Sequence, residues 1–218
     1  MNIYTVVEGF GEKRVYSKWI PYVNRNLRVA SRITDVTKNH VFIVTGGGYP
    51  NYFDIIKDGA LDVHASSTFD RLVIGVDSED LGHDEKLEEI SSFMTKIGLD
   101  IDYRIVVQHF CLETWALGNR AIVPRQPKTD KVREYRNIWD VLENDPAELP
   151  VLPKAQFTRA QFAELYLRAI LNDRNRNITY TKRNTKALLN LKYYQQVKTR
   201  MQDTNHIASF RGFLAAFN

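Results

Sequence analysis

Three carboxylates, Asp77, Glu79 and Asp80, crowd into the stretch RLVIGVDSEDLG, residues 71 to 82. Acids this close repel one another, and a bridging cation is the usual way such a cluster becomes favourable. Hard oxygen donors without clustered Cys or His favour Mg²⁺ or Mn²⁺ over zinc. Metal-assisted phosphodiester hydrolysis is the chemistry such a site could run, with the ion polarising a phosphoryl oxygen and activating water. Asp77 and Glu79 are the first candidates as ligands, and Asp80 could take over from Glu79. Glu8, after the apolar run IYTVV, could bind metal or act as general base, and Glu113, in HFCLETWALGN, could complete a second metal site. Lys182 or Lys186 could stabilise the extra charge of the transition state.

Neighbouring groups read as structural. Glu12 and Asp80 fit solvated surface better than a site. A lone His at a strand end is more often structural than catalytic, which covers His83 and His109. Trp115 and Phe110 fit a core, and Cys111 fits a buried, inert thiol.

Elements must bring the acids together. Leu72, Val73, Ile74 and Val76 read as a strand buried on both faces, so Asp77 falls at its C-terminal end, where open α/β sheets bind ligands. Ile3 to Val7, His40 to Thr45 and Tyr103 to Gln108 read as three more strands. Helical spacing follows the first strand at Val15, Trp19, Val23 and Leu27, with a kink expected at Pro21. The Gly46-Gly47-Gly48 turn could cradle a phosphate or simply turn tightly. Pro50 is expected to open the helix that carries Tyr52, Ile56 and Ala60. Leu87, Ile90 and Met94 mark a third helix, which Gly98 caps. Strands alternating with helices imply parallel pairing and right-handed crossovers. Residues 119–155 read as a loop-rich connection with a helix from Tyr135 to Leu142. Thr158 and Gln161 form a capping box ahead of Phe162, Tyr166 and Ile170. A last long helix is expected from about Arg183 to Met201, and the segment from Ile207 to Phe217 should dock on the core.

The charge is split along the chain. Residues 1–150 carry 18 Lys/Arg against 23 Asp/Glu, whereas residues 151–218 carry 12 against 3. An acidic metal-binding part beside a basic one suits a polyanion substrate, so Lys182, Arg183, Lys186, Lys192, Lys198 and Arg200 are candidate nucleic-acid contacts. The single cysteine excludes a disulfide framework or a multi-cysteine zinc site. No apolar run is long enough to span a bilayer, and residues 1–13 have no signal-peptide pattern, so a cytoplasmic protein without a membrane partner is expected. No GxxxxGK[ST] loop occurs, so any P-loop ATPase would be a separate chain.

Taken together, Glu8-Gly9, the Gly46 to Gly48 turn and Asp77-Ser78-Glu79-Asp80-Leu81-Gly82 resemble the TOPRIM domain of topoisomerases, bacterial primases and several nucleases. The last stretch resembles its DxDxxG signature, with Glu79 replacing the second Asp. The helical motif around Glu113 and the closing HIASFRGFLAAF are similar to small TOPRIM nucleases of the overcoming-lysogenization-defect group and related anti-phage proteins. The resemblance implies a parallel-sheet, Rossmann-like α/β domain over residues 1–118, followed by the 119–155 connection and a basic helical extension over 156–218. It further implies a Mg²⁺-dependent nuclease acting on DNA or RNA, in phage defence or a mobile element. The alternatives are a non-catalytic nucleic-acid-binding or scaffold subunit working with a separate ATPase, and a phosphoacceptor domain using Asp77. The last expects an acidic pair after the first strand and a Lys after the final one, and neither is present. Homo-oligomerisation stays open.

Overall fold

Five strands, β1 (Ile3–Val7), β2 (Arg28–Ala30), β3 (His40–Thr45), β4 (Arg71–Asp77) and β5 (Tyr103–Gln108), make one parallel sheet ordered β2-β3-β1-β4-β5. The structure is a computed structural model and describes residues 1–152 and 156–218. Helices α1 (Phe10–Val23), α2 (Tyr52–Ala65) and α3 (His83–Ile97) connect the strands. Further along come α4 (Leu112–Leu117), α5 (Asp130–Ile138), α6 (Arg159–Arg174), α7 (Leu191–Thr204) and α8 (Phe210–Ala216). The architecture is therefore α/β and Rossmann-like, as the alternation of strands and helices implies. Among the described residues no helix is long and apolar enough to cross a membrane.

Register follows from burial on both faces. Val7 pairs with Thr45 on one side and Gly75 on the other, and β1 is buried throughout. The strand order reverses at β1, because β2 and β3 lie to one side and β4 and β5 to the other. The short β2 was not expected. Its three residues hold no periodic signal and are fixed by pairing with His40 to Phe42.

The chain divides into two compact units. The first comprises Met1–Val76, His83–Val107 and Gly212–Asn218, and the second Asp77–Gly82 and Gln108–Arg211. In the first, Tyr4, Val6, Leu72, Ile74 and Val76 pack with Tyr52, Ile56 and Ala60 of α2 and Ile90 and Met94 of α3. Each such Val, Leu, Ile or Met side chain contributes about 1.5–3 kcal/mol by leaving water. Tyr16 of α1 lies against Gly75, where a Cβ would sit 2.8 Å from its hydroxyl, so β4 needs glycine there. Tyr16 and Trp19 also stack edge-on with Phe213 of α8, the docking expected for the closing segment.

The second unit is helical. Thr158 caps α6 through the reciprocal box with Gln161, as expected. Tyr135 of α5 packs edge-on against Phe162 and Tyr166 of α6. Asp173 accepts the Thr129 backbone N–H at 2.6 Å and so ties α6 to the start of α5. Four helix boundaries differ from expectation. α1 stops at Val23 with Asn24 as its C-cap, so Leu27 lies beyond it. Pro50 precedes α2, whose N-cap is Asn51. The short helix of the connection is Asp130–Ile138, ending at Trp139. The long helix does not begin at Arg183: Asn184 closes a turn by donating to the Thr179 carbonyl, and Asn190 caps α7 by accepting from the Tyr193 N–H. Asn is a strong helix start signal that the apolar spacing across 183–191 masks. Residues 153–155 of the expected connection lie outside the described residues.

Candidate functional site

β4 ends on Asp77, whose side chain is only 2% exposed. The carboxylate Oδ1 accepts a 2.9 Å hydrogen bond from Nε2 of Gln108, the last residue of β5. Backbone bonds continue the register past the strand ends: Ser78 N–H donates to the Gln108 carbonyl and Glu79 N–H to that of Phe110. Glu79 takes a left-handed conformation with φ of 53°, which carries its side chain to an exposed position. Few residues other than Gly, Asn and Asp adopt that conformation without cost. Ser78 is buried, and its Oγ lies 2.8 Å from Nδ1 of His109, a contact that joins the two strand ends. Asp80 is exposed, and its Oδ1 accepts the Arg159 backbone N–H at 3.1 Å. That places an acid at the first turn of α6, where the helix dipole favours it.

Glu113 lies in the first turn of α4 and is 1% exposed. Its Oε1 accepts a 2.7 Å hydrogen bond from the Tyr180 hydroxyl. Its Oε2 is buried with no hydrogen-bond partner. Burial, then the Glu113 charge, pushes the Tyr180 phenol well up. Cys111, just before α4, is buried, and burial followed by the Glu113 and Asp77 charges pushes its thiol well up. The thiol is thus buried, as expected, in surroundings that favour its protonated form.

Lys182 connects these acids. Crowding around its ammonium would push its pKa down, but Asp77, Glu113 and Glu79, with Cys111, hold it well above the ordinary lysine value. By accessible area Lys182 is exposed, so water reaches it and screens the attraction. The second unit therefore brings Asp77, Glu79, Glu113 and Lys182 into one electrostatic group. Among the described residues, no three His, Cys, Asp or Glu side chains converge closely enough to hold a metal ion by themselves.

Other expected residues lie elsewhere. Arg183, Lys186 and Lys192 are exposed and Lys198 is half-buried. Arg200 is not a surface contact: it is 3% exposed, and its guanidinium donates to the Val141 and Asn144 carbonyls at 2.6 Å each. Burial, then the Arg120 charge, brings its pKa down to about 10. Arg200 follows Tyr193 and Val197 at helical spacing and so lies on the buried face of α7, where loop carbonyls take its donors.

Glu8 and Glu12 belong to the first unit. Glu8 is half-buried after β1, and its carbonyl accepts the Gly48 N–H. Glu12 is 6% exposed rather than solvated, with its carboxylate folded back over Gly9 at the start of α1. The glycine turn is tight: Gly46 and Gly48 donate their N–H groups to the Val7 and Glu8 carbonyls, and a Cβ at Gly46 would strike Tyr52 at 2.5 Å. Sequence reasoning misses Lys86, which is 5% exposed and donates to Glu89 at 2.5 Å and to the Tyr52 hydroxyl at 3.4 Å. Its spacing with Ile90 and Met94 puts it on the buried face of α3 and was the available signal. Gln108 and Tyr180 carry no comparable signal.

Compared with protein-family models, curated proteins and solved structures, the chain matches none.

Proposed function

We propose that the chain is a Mg²⁺-dependent nuclease, a TOPRIM-like sheet with a basic helical C-terminal extension, that hydrolyses phosphodiester bonds of DNA or RNA. The observation that carries this reading is an excess of acid: three carboxylates, Asp77, Glu79 and Glu113, act on one ammonium, Lys182. Formally the acids outnumber the cation, and the surplus favours a further cation. The donor chemistry fits Mg²⁺, because Glu113 Oε2 is buried and has no hydrogen-bond partner. Mg²⁺ commonly takes one or two protein carboxylates and keeps several waters, so three convergent side chains are not required. Asp77, Glu79 and Glu113 would hold the ion (Mn²⁺ being the substitute), with Asp80 the alternate donor. When bound, such an ion polarises a phosphoryl oxygen and acidifies water.

This chain's own groups supply the rest. Gln108 orients Asp77 through its amide, and Tyr180 orients Glu113 through its hydroxyl. The raised pKa of Lys182 keeps it protonated at physiological pH, so it acts as a fixed positive charge facing the phosphoryl oxygens rather than as a base. Glu8 is the candidate general base, with Lys186 a further cation and Arg183, Lys192 and Lys198 contacts to a polyanion. The proposed setting is the cytoplasm, in phage defence or a mobile element.

A second reading has an observation in its favour. Lys182 already supplies one positive charge to these acids, as a non-catalytic subunit working with a separate ATPase would allow. Cleavage of labelled single- and double-stranded DNA and RNA with Mg²⁺, Mn²⁺ or EDTA, wild type against Asp77→Ala, separates the two. Metal-dependent cleavage lost in the variant supports the nuclease. A folded protein that cleaves nothing supports the subunit.

A further inference from the structure

Two cavities in the second unit share Ala121 and Gln196 and so adjoin. The larger, about 860 Å³, is lined by Arg120, Arg125 and Arg136 with one acid, Glu143. The smaller, about 380 Å³, is lined by Arg174, Lys186 and Lys192 and by no acid. Arg136 is engaged by Asp140 at 2.6 Å. Among the described residues, the other five cations form no ion pair. Arg174 turns one N–H to the carbonyl of Ala121, the residue between the cavities, at 2.6 Å. Arg120 has a buried Nε with no hydrogen-bond partner, and its charge is among the causes, after burial, that depress Arg200. A protein that gathers cations around concave space without acids pays a repulsion that a bound anion relieves.

Five cations without ion pairs, in two cavities that adjoin at Ala121 and Gln196, exceed what one phosphate group needs. They suit a chain of phosphates. We propose that the two cavities form one track holding the phosphodiester backbone of a single nucleic-acid strand, with Arg120 and Arg125 gripping one stretch and Arg174, Lys186 and Lys192 the next. Recessed cavities admit the phosphates of a flexible strand one at a time, whereas a duplex presents them on a stiff rod. The track extends the nuclease reading by naming how its substrate is held, and rests on that reading only for the identity of the anion.

The test is fluorescence anisotropy of labelled oligonucleotides on the full chain in EDTA, so that cleavage plays no part and its failure is scored separately. Wild type should bind single strands with a log–log salt slope of roughly −3 to −4, from five contacts at about 0.7 each. The pair Arg125→Gln with Lys192→Gln removes one exposed cation from each cavity. It should weaken binding roughly tenfold and reduce the slope by about 1.4. The control pair Lys57→Gln with Lys96→Gln, exposed in the first unit, should bind as wild type. Arg120→Gln is read only alongside a thermal melt, because its Nε is buried. Unaltered binding by the Arg125/Lys192 pair, or no binding by wild type, overturns the track. Inorganic triphosphate competing as tightly as a 20-mer would mark a small-phosphate site instead, and tighter binding of duplex would overturn the single-strand assignment.

Discussion

Two lysines of this chain keep company with carboxylates, and they do so in opposite ways. In the first unit Lys86 is buried and meets one acid, Glu89, with Tyr52 close by, so positive and negative charge balance one to one. In the second unit Lys182 is exposed and serves three acids at once. A balanced pair is satisfied within the fold, and the Lys86 hydrogen bond to Tyr52 ties α3 to α2. An unbalanced group at a strand end still has charge to offer. Ion pairing alone therefore says little about function, and the ratio of acids to cations says more.

Substitutions can sharpen or break that contrast. The largest effect is expected from Asp77→Ala, which should lower metal-dependent cleavage about 10³-fold or more while leaving the protein folded. Equal cleavage by wild type and variant would remove the unbalanced group from the chemistry. Next, Lys86→Ala should destabilise by about 1–3 kcal/mol in urea unfolding, because the partly exposed Glu89 loses its partner and the buried lysine stem its packing. A change under 1 kcal/mol would mean that the first pair is not structural. Lys182→Gln should behave oppositely, changing stability by about 1 kcal/mol or less but cleavage by roughly 10²-fold. Its melting temperature should also rise with millimolar Mg²⁺ more than that of wild type, since the carboxylates have lost their resident cation. An equal rise in both proteins would sever Lys182 from the ion.

The smallest effect concerns His206, which accepts from the Arg200 guanidinium at 3.0 Å. Burial, with the Arg200 and Arg120 charges, depresses its pKa below the ordinary 6.5 against the opposing pull of Asp145. The folded state thus binds this proton less readily than the unfolded state. Stability should be complete above pH 6.5 and decline as pH falls through the depressed value. Melts of His206→Asn between pH 7.5 and about 5 should lack that component; an identical pH profile in both proteins would dismiss it.

Much of this could be read from residue order. The strands β1, β3, β4 and β5 are continuous apolar runs, and no surface helix has that pattern. The acids at their ends were legible because a polar residue after a buried strand must stand at the sheet edge. Asp77 and Glu113 nonetheless gave no sign of their burial, which depends on Gln108 and Tyr180 supplying hydrogen bonds. Lys182 was legible as a cation near the right chemistry, but nothing in its spacing ties it to residues so distant in the chain. Arg200 and Lys86 show the reverse: helical spacing puts each on a buried face, and polar partners let the charge stay there, the Val141 and Asn144 carbonyls for Arg200, and Glu89 on the same helix with the Tyr52 hydroxyl for Lys86. Periodicity finds faces, and hydrogen-bonding partners decide what those faces do.

The left-handed backbone at Glu79 has a genetic consequence. Either glutamate codon becomes a glycine codon by one base change. At a φ of 53° glycine would relax a conformation that costs most residues roughly 1 kcal/mol, while deleting the carboxylate. At this position a single base change would, on the nuclease reading, disarm the site while relaxing the fold. Lineages under pressure to silence such a protein should therefore retain well-folded, inert copies rather than lose it to misfolding.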